Sequence, residues 1–252
     1  MSAPELLSVR EGAVLHLTLN RPDKGNALSA QLVQSLTDAF DQASGERDLR
    51  LVVLAGAGRH FCTGFDLSDL DQATDDILLA RFTRVELLLQ AVHAAPFATL
   101  ALAQGRAMGA GADLFAACTE RWTVDDAKFA FPGAAFGLVL GTTRLTTLVG
   151  APQAAEWIQS GAVFDAAAAR GAGLATRQLS QAQLPAAQAE LTARVSRLDG
   201  PTQRAIHAAI DAGHRPRGDA GDAEDLARLV RSAARPGLRD RIAAYRQAQQ
   251  RS

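Results

Sequence analysis

Two glycine-bearing segments hold the residue types best suited to chemistry. In Phe61-Cys62-Thr63-Gly64-Phe65-Asp66-Leu67, Gly64 can take a backbone angle closed to other residues, and Asp66 can cap a short helix that follows. A turn of this kind leaves backbone N–H groups unpaired and pointing outward. In Gln104-Gly105-Arg106-Ala107-Met108-Gly109-Ala110-Gly111-Ala112-Asp113, the small residues at 109–112 let a ligand approach the first turn of a helix. Orphan N–H groups and the positive end of the helix dipole favour developing negative charge there. One donor from each segment can bracket a single carbonyl oxygen, the geometry of an oxyanion hole that stabilises an enolate. Asp113 lies three residues beyond Ala110, on the same helical face, so its carboxylate can reach the carbon beside that carbonyl. The same residues also suit plainer duties: a capping or solvated aspartate, and a helix start made small for close packing.

Other candidates are weaker. Gly56-Ala57-Gly58-Arg59-His60-Phe61 follows an apolar run as a dinucleotide loop would, but Phe61 occupies the place of the third glycine, so close helix–strand packing fails. His60 and Cys62 flank the first donor segment and read most simply as a loop histidine and a small buried thiol. His93 suits a helix C-terminus, where it offsets the dipole. Cys62 and Cys118 lack metal-ligand spacing, and the five histidines form no H-x-x-x-H or H-E-x-x-H pattern, so no metal site is expected. Lys24 and Lys128, the only lysines, lie outside apolar runs that would lower their pKa for Schiff-base chemistry.

The elements that must position these residues follow from periodicity. A partly alternating run from Ala13 to Leu19 predicts a strand feeding the turn Asn20–Asn26. Ser29 caps a helix marked by Leu32, Val33, Leu36 and Phe40 and stopped at Ser44-Gly45. Leu51–Leu54 reads as a strand covered on both faces. A helix from about Asp76 to His93, a strand at Ala98–Ala103 and a helix from Gly109 to Ala117 follow. Strand, turn and helix thus recur without visible sequence repetition. After Gly150 the texture becomes Ala-rich and helical, broken at Gly161, Gly171-Ala172-Gly173, Gly200-Pro201 and the polar stretch Gly213–Asp222. This places an α/β core at 1–150 and a mainly helical region beyond it.

Composition narrows the classes. With 252 residues, 48% of them apolar, one domain can bury its own core without disulfide or metal staples. A balance of 26 basic against 27 acidic side chains, with the signs interspersed, argues against nucleic acid as a partner. Met1–Glu11 lacks an apolar leader core, and no stretch approaches the length of a membrane span. A cytoplasmic location with unpaired thiols is expected.

The motifs Asn20-Arg21-Pro22 with Asn26-Ala27-Leu28, Phe61-x-x-Gly64-x-Asp66-Leu67, Gly105-x-Ala107-x-Gly109-Ala110-Gly111, Ala127-Lys128-Phe129 and Arg144-Leu145 resemble, in order and separation, the enoyl-CoA hydratase/isomerase or crotonase superfamily. The resemblance covers essentially the whole chain. It implies a spiral of ββα units at 1–195, a helical trimerisation region at 196–252, and a homotrimer or a hexamer. It also implies an acyl-CoA substrate, with no tightly bound cofactor and coenzyme A arriving as part of the thioester. The oxyanion donors by position are the N–H groups of Phe65 and Ala110, and Arg21, Lys24, Ala27, Asp66 and Leu67 fall where the family holds CoA.

Departures from the family pattern shape the expected chemistry. Asp113 stands at the first catalytic carboxylate, one methylene shorter than the usual glutamate, and Gly133 replaces the second acid. Ala110 replaces a common glycine, Gly137–Thr143 is a shortened pocket segment, and Ser68 replaces a phosphate-binding lysine, leaving Arg21, Lys24 and Arg59. Glu86 lies on the helix that covers the acyl pocket in this family, where burial would raise its pKa and make it a substitute acid. An exposed partner for Arg81 or Arg84 is the plainer reading of Glu86, and a structural helix residue that of Arg144. With one acid, a double-bond shift is easier than hydration, because a single group can remove and return the proton. The alternatives are hydrolysis or C–C cleavage of a β-dicarbonyl compound, and a non-catalytic acyl-CoA-binding paralogue.

Overall fold

The hairpin β1 (Leu6–Glu11) and β2 (Val14–Leu19) opens the chain, antiparallel, with Leu6 opposite Leu19 and Glu11 opposite Val14. β1 was not anticipated, because its side chains alternate little and are mostly exposed; its charged residues blunt a sheet edge. The computed structural model describes residues 3–214 and 218–251. β3 (Leu51–Gly56) and β4 (Ala98–Ala103) lie parallel to β2 in the sheet interior, which is why both read as nearly continuous apolar runs. β6 (Glu120–Val124) and β9 (Arg177–Leu179) complete a six-stranded sheet ordered β1-β2-β3-β4-β6-β9. A second sheet of β5 (Arg106–Met108), β7 (Lys128–Ala130) and β8 (Phe164–Asp165) stands beside it.

The helices follow their caps. α1 (Ala30–Gly45) starts where Ser29 accepts from Leu32 N–H, and buries Leu32, Val33, Leu36, Phe40 and Ala43 as one stripe. α2 (Asp75–His93) starts at Thr74, which accepts from Ile77 N–H. It packs against α1, α3 (Ala110–Ala117) and α9 (Gly218–Ala233), and this enclosure buries two charged residues, Arg81 and Glu86, along with its apolar ones. Every residue of α3 is buried, which only small side chains permit at its first turn. α4 (Thr142–Val149), α5 (Ala151–Ser160) and α6 (Ala166–Gly171) follow, then α7 (Leu184–Val195), α8 (Gly200–His214) and α10 (Leu238–Arg251).

The recurrent strand, turn and helix is a spiral. The first strand of each unit enters the large sheet, and the next short segment lies in a second ladder: Leu28 pairs with Phe65, Cys62 with Ala107, and Ala107 with Phe129, all parallel. The change of texture at Gly150 does not end the α/β core, since β9 closes the large sheet and β8 the small one. Two-residue and three-residue strands leave too short a periodic signal to detect. Of the polar stretch Gly213–Asp222, residues 215–217 lie outside the described residues, and Gly218 onward is helical. No helix among the described residues is long and apolar enough to cross a membrane.

Candidate active site

The ladder register brings the two donor segments together. Cys62 is opposite Ala107, so Phe65 and Ala110, each three residues further on, occupy equivalent places in successive turns of the spiral. Three hydrogen bonds lace the segments: Phe61 N–H to Gln104 O at 2.9 Å, Cys62 N–H to Arg106 O at 3.1 Å, and Met108 N–H to Cys62 O at 3.0 Å. On the other side, Leu28 N–H donates to Gly64 O at 2.7 Å and Asp66 N–H donates to Leu28 O at 3.1 Å. Extended backbone alternates its N–H directions, so Phe65 N–H, between those two bonds, faces away from Leu28. Ala110 N–H is the first of α3 and has no turn before it to accept it. Among the described residues, neither of these N–H groups meets a backbone carbonyl.

Gly64 makes the approach possible. Its φ is +99°, and a Cβ there would stand 2.6 Å from Met108 O and 3.6 Å from Ala110 N. The Phe65 ring stacks on Phe82 of α2 at 4.0 Å, with Arg81 at 4.5 Å from the ring centroid. Helix α2 therefore fixes the residue whose backbone is the first candidate donor.

Asp113 lies one turn along α3 and is buried. Burial, opposed by Arg144 and reinforced by Glu86, holds its carboxyl well above the ordinary carboxylate range. No hydrogen bond contributes to that balance. The sealed polar side-chain atoms that lack a partner among the described residues are Arg81 Nε and Arg144 Nε. Oδ1 packs against Gly141, the residue before α4, where a side chain would collide with it.

Glu86 is not an exposed partner of Arg81 or Arg84. Only 1% of it is exposed, and Arg144 grips both oxygens, Nη1 to Oε1 at 3.0 Å and Nη2 to Oε2 at 2.6 Å. Gln90 donates to Oε1 at 2.9 Å. Burial raises the Glu86 carboxyl although Arg144 and Gln90 oppose it. Glu86 and Asp113 thus lie in one buried cluster, but the Glu86 oxygens are already occupied. Arg144 is the helix residue expected, with this pairing as its structural duty.

The residues expected to hold CoA divide into two groups. Arg21 is pinned between Asp66 at 2.7 Å and Glu5 at 3.0 Å and also donates to Ala27 O, so Arg21, Ala27 and Asp66 form one knot behind the first donor. Asp66 accepts from Ser68 N–H at 2.9 Å rather than capping the short helical turn Leu70–Gln72, which Asp69 precedes. Burial pushes the Asp66 carboxyl up, but the Ser68 and Arg21 bonds outweigh it and hold the carboxyl below its usual value. Lys24 and Arg59 are exposed, and the half-buried Leu67 accepts from Arg246 of α10 through its carbonyl at 3.1 Å.

Two positioning residues escaped sequence reasoning. Asn26, fully buried at φ +56°, donates to Ala57 O at 2.9 Å and His60 O at 2.7 Å and so ties down the loop before the first donor. The sequence marked it as part of a turn and of a family motif, and an asparagine after glycine tolerates the left-handed region, but none of this indicated its partners. Gly141 carried no signal, since its need to be small comes from Asp113 of another element. Gly133, in the turn Pro132–Phe136, faces Leu138. A cavity of about 900 Å³ beside Gly141 and Arg144 is walled by α8 and α9, and neither donor lines it.

Comparison with known proteins agrees with this architecture. The family model described as enoyl-CoA hydratase/isomerase matches residues 9–234. This chain belongs to the enoyl-CoA hydratase/isomerase family. A Mycobacterium bovis relative named a probable enoyl-CoA hydratase is 37% identical over 182 residues, 70% of this chain and 72% of that one. A peroxisomal Δ(3,5)-Δ(2,4)-dienoyl-CoA isomerase of Arabidopsis thaliana is 28% identical over 66% of each chain. A crystal structure from Bordetella parapertussis, assigned as an enoyl-CoA hydratase/isomerase, superposes with a TM-score of 0.89 at 44% identity, covering 96% of this chain and 98% of that one. The mixed α/β spiral of this family member is the crotonase fold that its motifs implied.

Proposed function

We propose that this acyl-CoA enzyme of the crotonase type moves a proton through Asp113 while the N–H groups of Phe65 and Ala110 hold the thioester oxygen. The observation that carries the reading is the meeting of two unpaired backbone donors in equivalent rungs with an unpaired, buried carboxylate one helical turn away. Ionised Asp113 takes the α-proton of a 3-enoyl thioester, the C–H electron pair moves into the thioester as an enolate, and the oxygen charge falls on the two N–H groups. Neutral Asp113 then returns the proton to the γ-carbon as the electrons re-form a double bond at the 2-position. A carboxyl held high by burial suits this, because it is a strong base when ionised and a usable acid afterwards.

A double-bond shift is favoured over hydration by the second acid's surroundings. Gly133 offers no carboxylate, and Glu86 has both oxygens bound. The exposed cations Lys24 and Arg59 are assigned to the CoA phosphates, with the Arg21–Asp66 knot holding the loop beneath them. No resident cofactor takes part in this scheme. Residues 196–252 are assigned to assembly as a trimer or hexamer; Ile206 and Ile210, one turn apart on α8 and exposed, support that assignment. We place the reaction in cytoplasmic fatty acid metabolism.

The test is incubation with 2-enoyl- and 3-enoyl-CoA thioesters in deuterated water, followed by mass spectrometry. Deuterium uptake or double-bond migration without added water is the expected result. Net gain of one water would overturn the one-acid scheme.

A further inference from the structure

The Glu86–Arg144 pair does more than fill space, because of where it lies. Its guanidinium and carboxylate are 6% and 1% exposed, and they meet in two hydrogen bonds between α2 and α4. Arg144 is three residues past Gly141, whose backbone packs on Asp113 Oδ1, so the pair and the candidate base share one wall. We propose that Glu86 and Arg144 are positioning residues for Asp113, acting by fixing the net charge beside its carboxyl: Glu86 cancels most of the guanidinium's field. This deepens the proton-transfer reading and rests on it.

The physical case is electrostatic. A lone guanidinium next to a buried carboxyl would hold it ionised and make it a poor base for the α-proton. A tightly paired one presents a dipole of small net charge, and the carboxyl is left to the raising effect of burial. Among the described residues, the charged groups that act on Asp113 are Arg144 from α4 and Glu86 from α2. Behind them, Asp225 from α9 adds negative potential at Glu86 while itself bound to Arg228 at 2.6 Å and Thr143 at 2.7 Å. Glu86 is held in register by Gln90, which also donates to Asp222 O at 3.0 Å, so α9 braces the pair. Among the described residues Arg144 Nε has no hydrogen-bond partner, and the bonds of its two Nη atoms run to Glu86.

The experiment is an infrared titration of the Asp113 carboxyl on ligand-free protein, assigned by its loss in Asp113→Asn, beside the pH profile of deuterium exchange on a 3-enoyl thioester. Glu86→Gln keeps the shape and removes the charge. Its expected effect is a fall in the Asp113 midpoint of about one pH unit or more, with the exchange profile moving in step. The double variant Glu86→Gln/Arg144→Met should bring the midpoint back to near the wild-type value. A folded Glu86→Gln with an unmoved midpoint overturns the proposal. If that variant does not fold, the double variant decides, and a midpoint displaced by more than about one unit overturns it equally. Midpoints that move as expected in a protein that exchanges no acyl thioester support the charge relation and overturn the proton-transfer reading instead.

Discussion

The two halves of the site are built by different means. In the proposed reading the donor half, residues 61–66 and 106–110, acts through backbone N–H groups, placed by ladder hydrogen bonds and by glycine where another strand's carbonyl presses close. The carboxylate half, Asp113 with Glu86 and Arg144, acts through side chains in a buried charge cluster. A backbone donor depends on its main-chain N–H and can keep its function when its side chain changes. A side-chain acid has no such tolerance: Asp113 must keep both its carboxyl and its electrostatic setting. Substitutions therefore disable the donor half through geometry and the carboxylate half through charge.

The largest effect should come from the carboxylate half. Asp113→Asn keeps the size and removes the base, so turnover should fall by about 10²–10⁴-fold, the usual contribution of general acid–base catalysis. Affinity for a non-reacting acyl-CoA analogue should change little, because the donors still hold the thioester oxygen. Steady-state kinetics and calorimetric titration check the two statements separately. Unchanged turnover removes Asp113 from the mechanism and leaves the donors as a binding device only.

Breaking the donor half without touching charge requires Gly64→Ala. The methyl group would meet Met108 O at 2.6 Å and force a side chain into φ +99°. The two rungs must part, so the loss should resemble removal of one oxyanion donor, about 10²–10³-fold in kcat. Infrared titration of Asp113 in the same variant should be unaltered. A shifted midpoint would show that the halves are coupled and that the division drawn above is too sharp.

How much of this was legible depends on the range of the interaction. The strands β2, β3 and β4 and the helices α1 to α3 announce themselves by local periodicity and caps, and Ser29 at the start of α1 does what its type predicts. The two proposed donor segments could be picked out in the sequence because glycine spacing and small residues are local signs of unpaired N–H groups. For Glu86 the buried reading held and the exposed one failed, but its partner escaped, because nothing near it in sequence indicates Arg144, which comes to it from another helix. Asp66 was misread as a helix cap for the same reason: its partner Arg21 lies in the preceding unit of the spiral. β5, β7 and β8 are shorter than a periodic window and exist because the ladder pairs them.

The smallest effect expected is thermodynamic, and it separates the two halves most cleanly. The folded Asp113 carboxyl lies above its unfolded value, so the neutral form is the one that the fold prefers. Its favourable contribution is complete below the unfolded aspartate pKa, about 3.9. It is lost as pH rises through the folded value, and above the unfolded value the raised carboxyl costs the wild type stability, whether by holding a proton or by burying a charge. Asp113→Asn carries none, and its Tm should exceed that of the wild type at pH 7–8, at about 2–4 °C for each kcal/mol relieved. The difference should shrink as pH falls through the folded value and vanish below about 4. Gly64→Ala, whose strain is steric, should destabilise by an amount that does not follow pH over that range. Calorimetry of both variants across pH distinguishes the two patterns. An Asp113→Asn variant less stable than wild type at neutral pH would mean that Arg144 stabilises the ionised Asp113 more than Glu86 and burial oppose it.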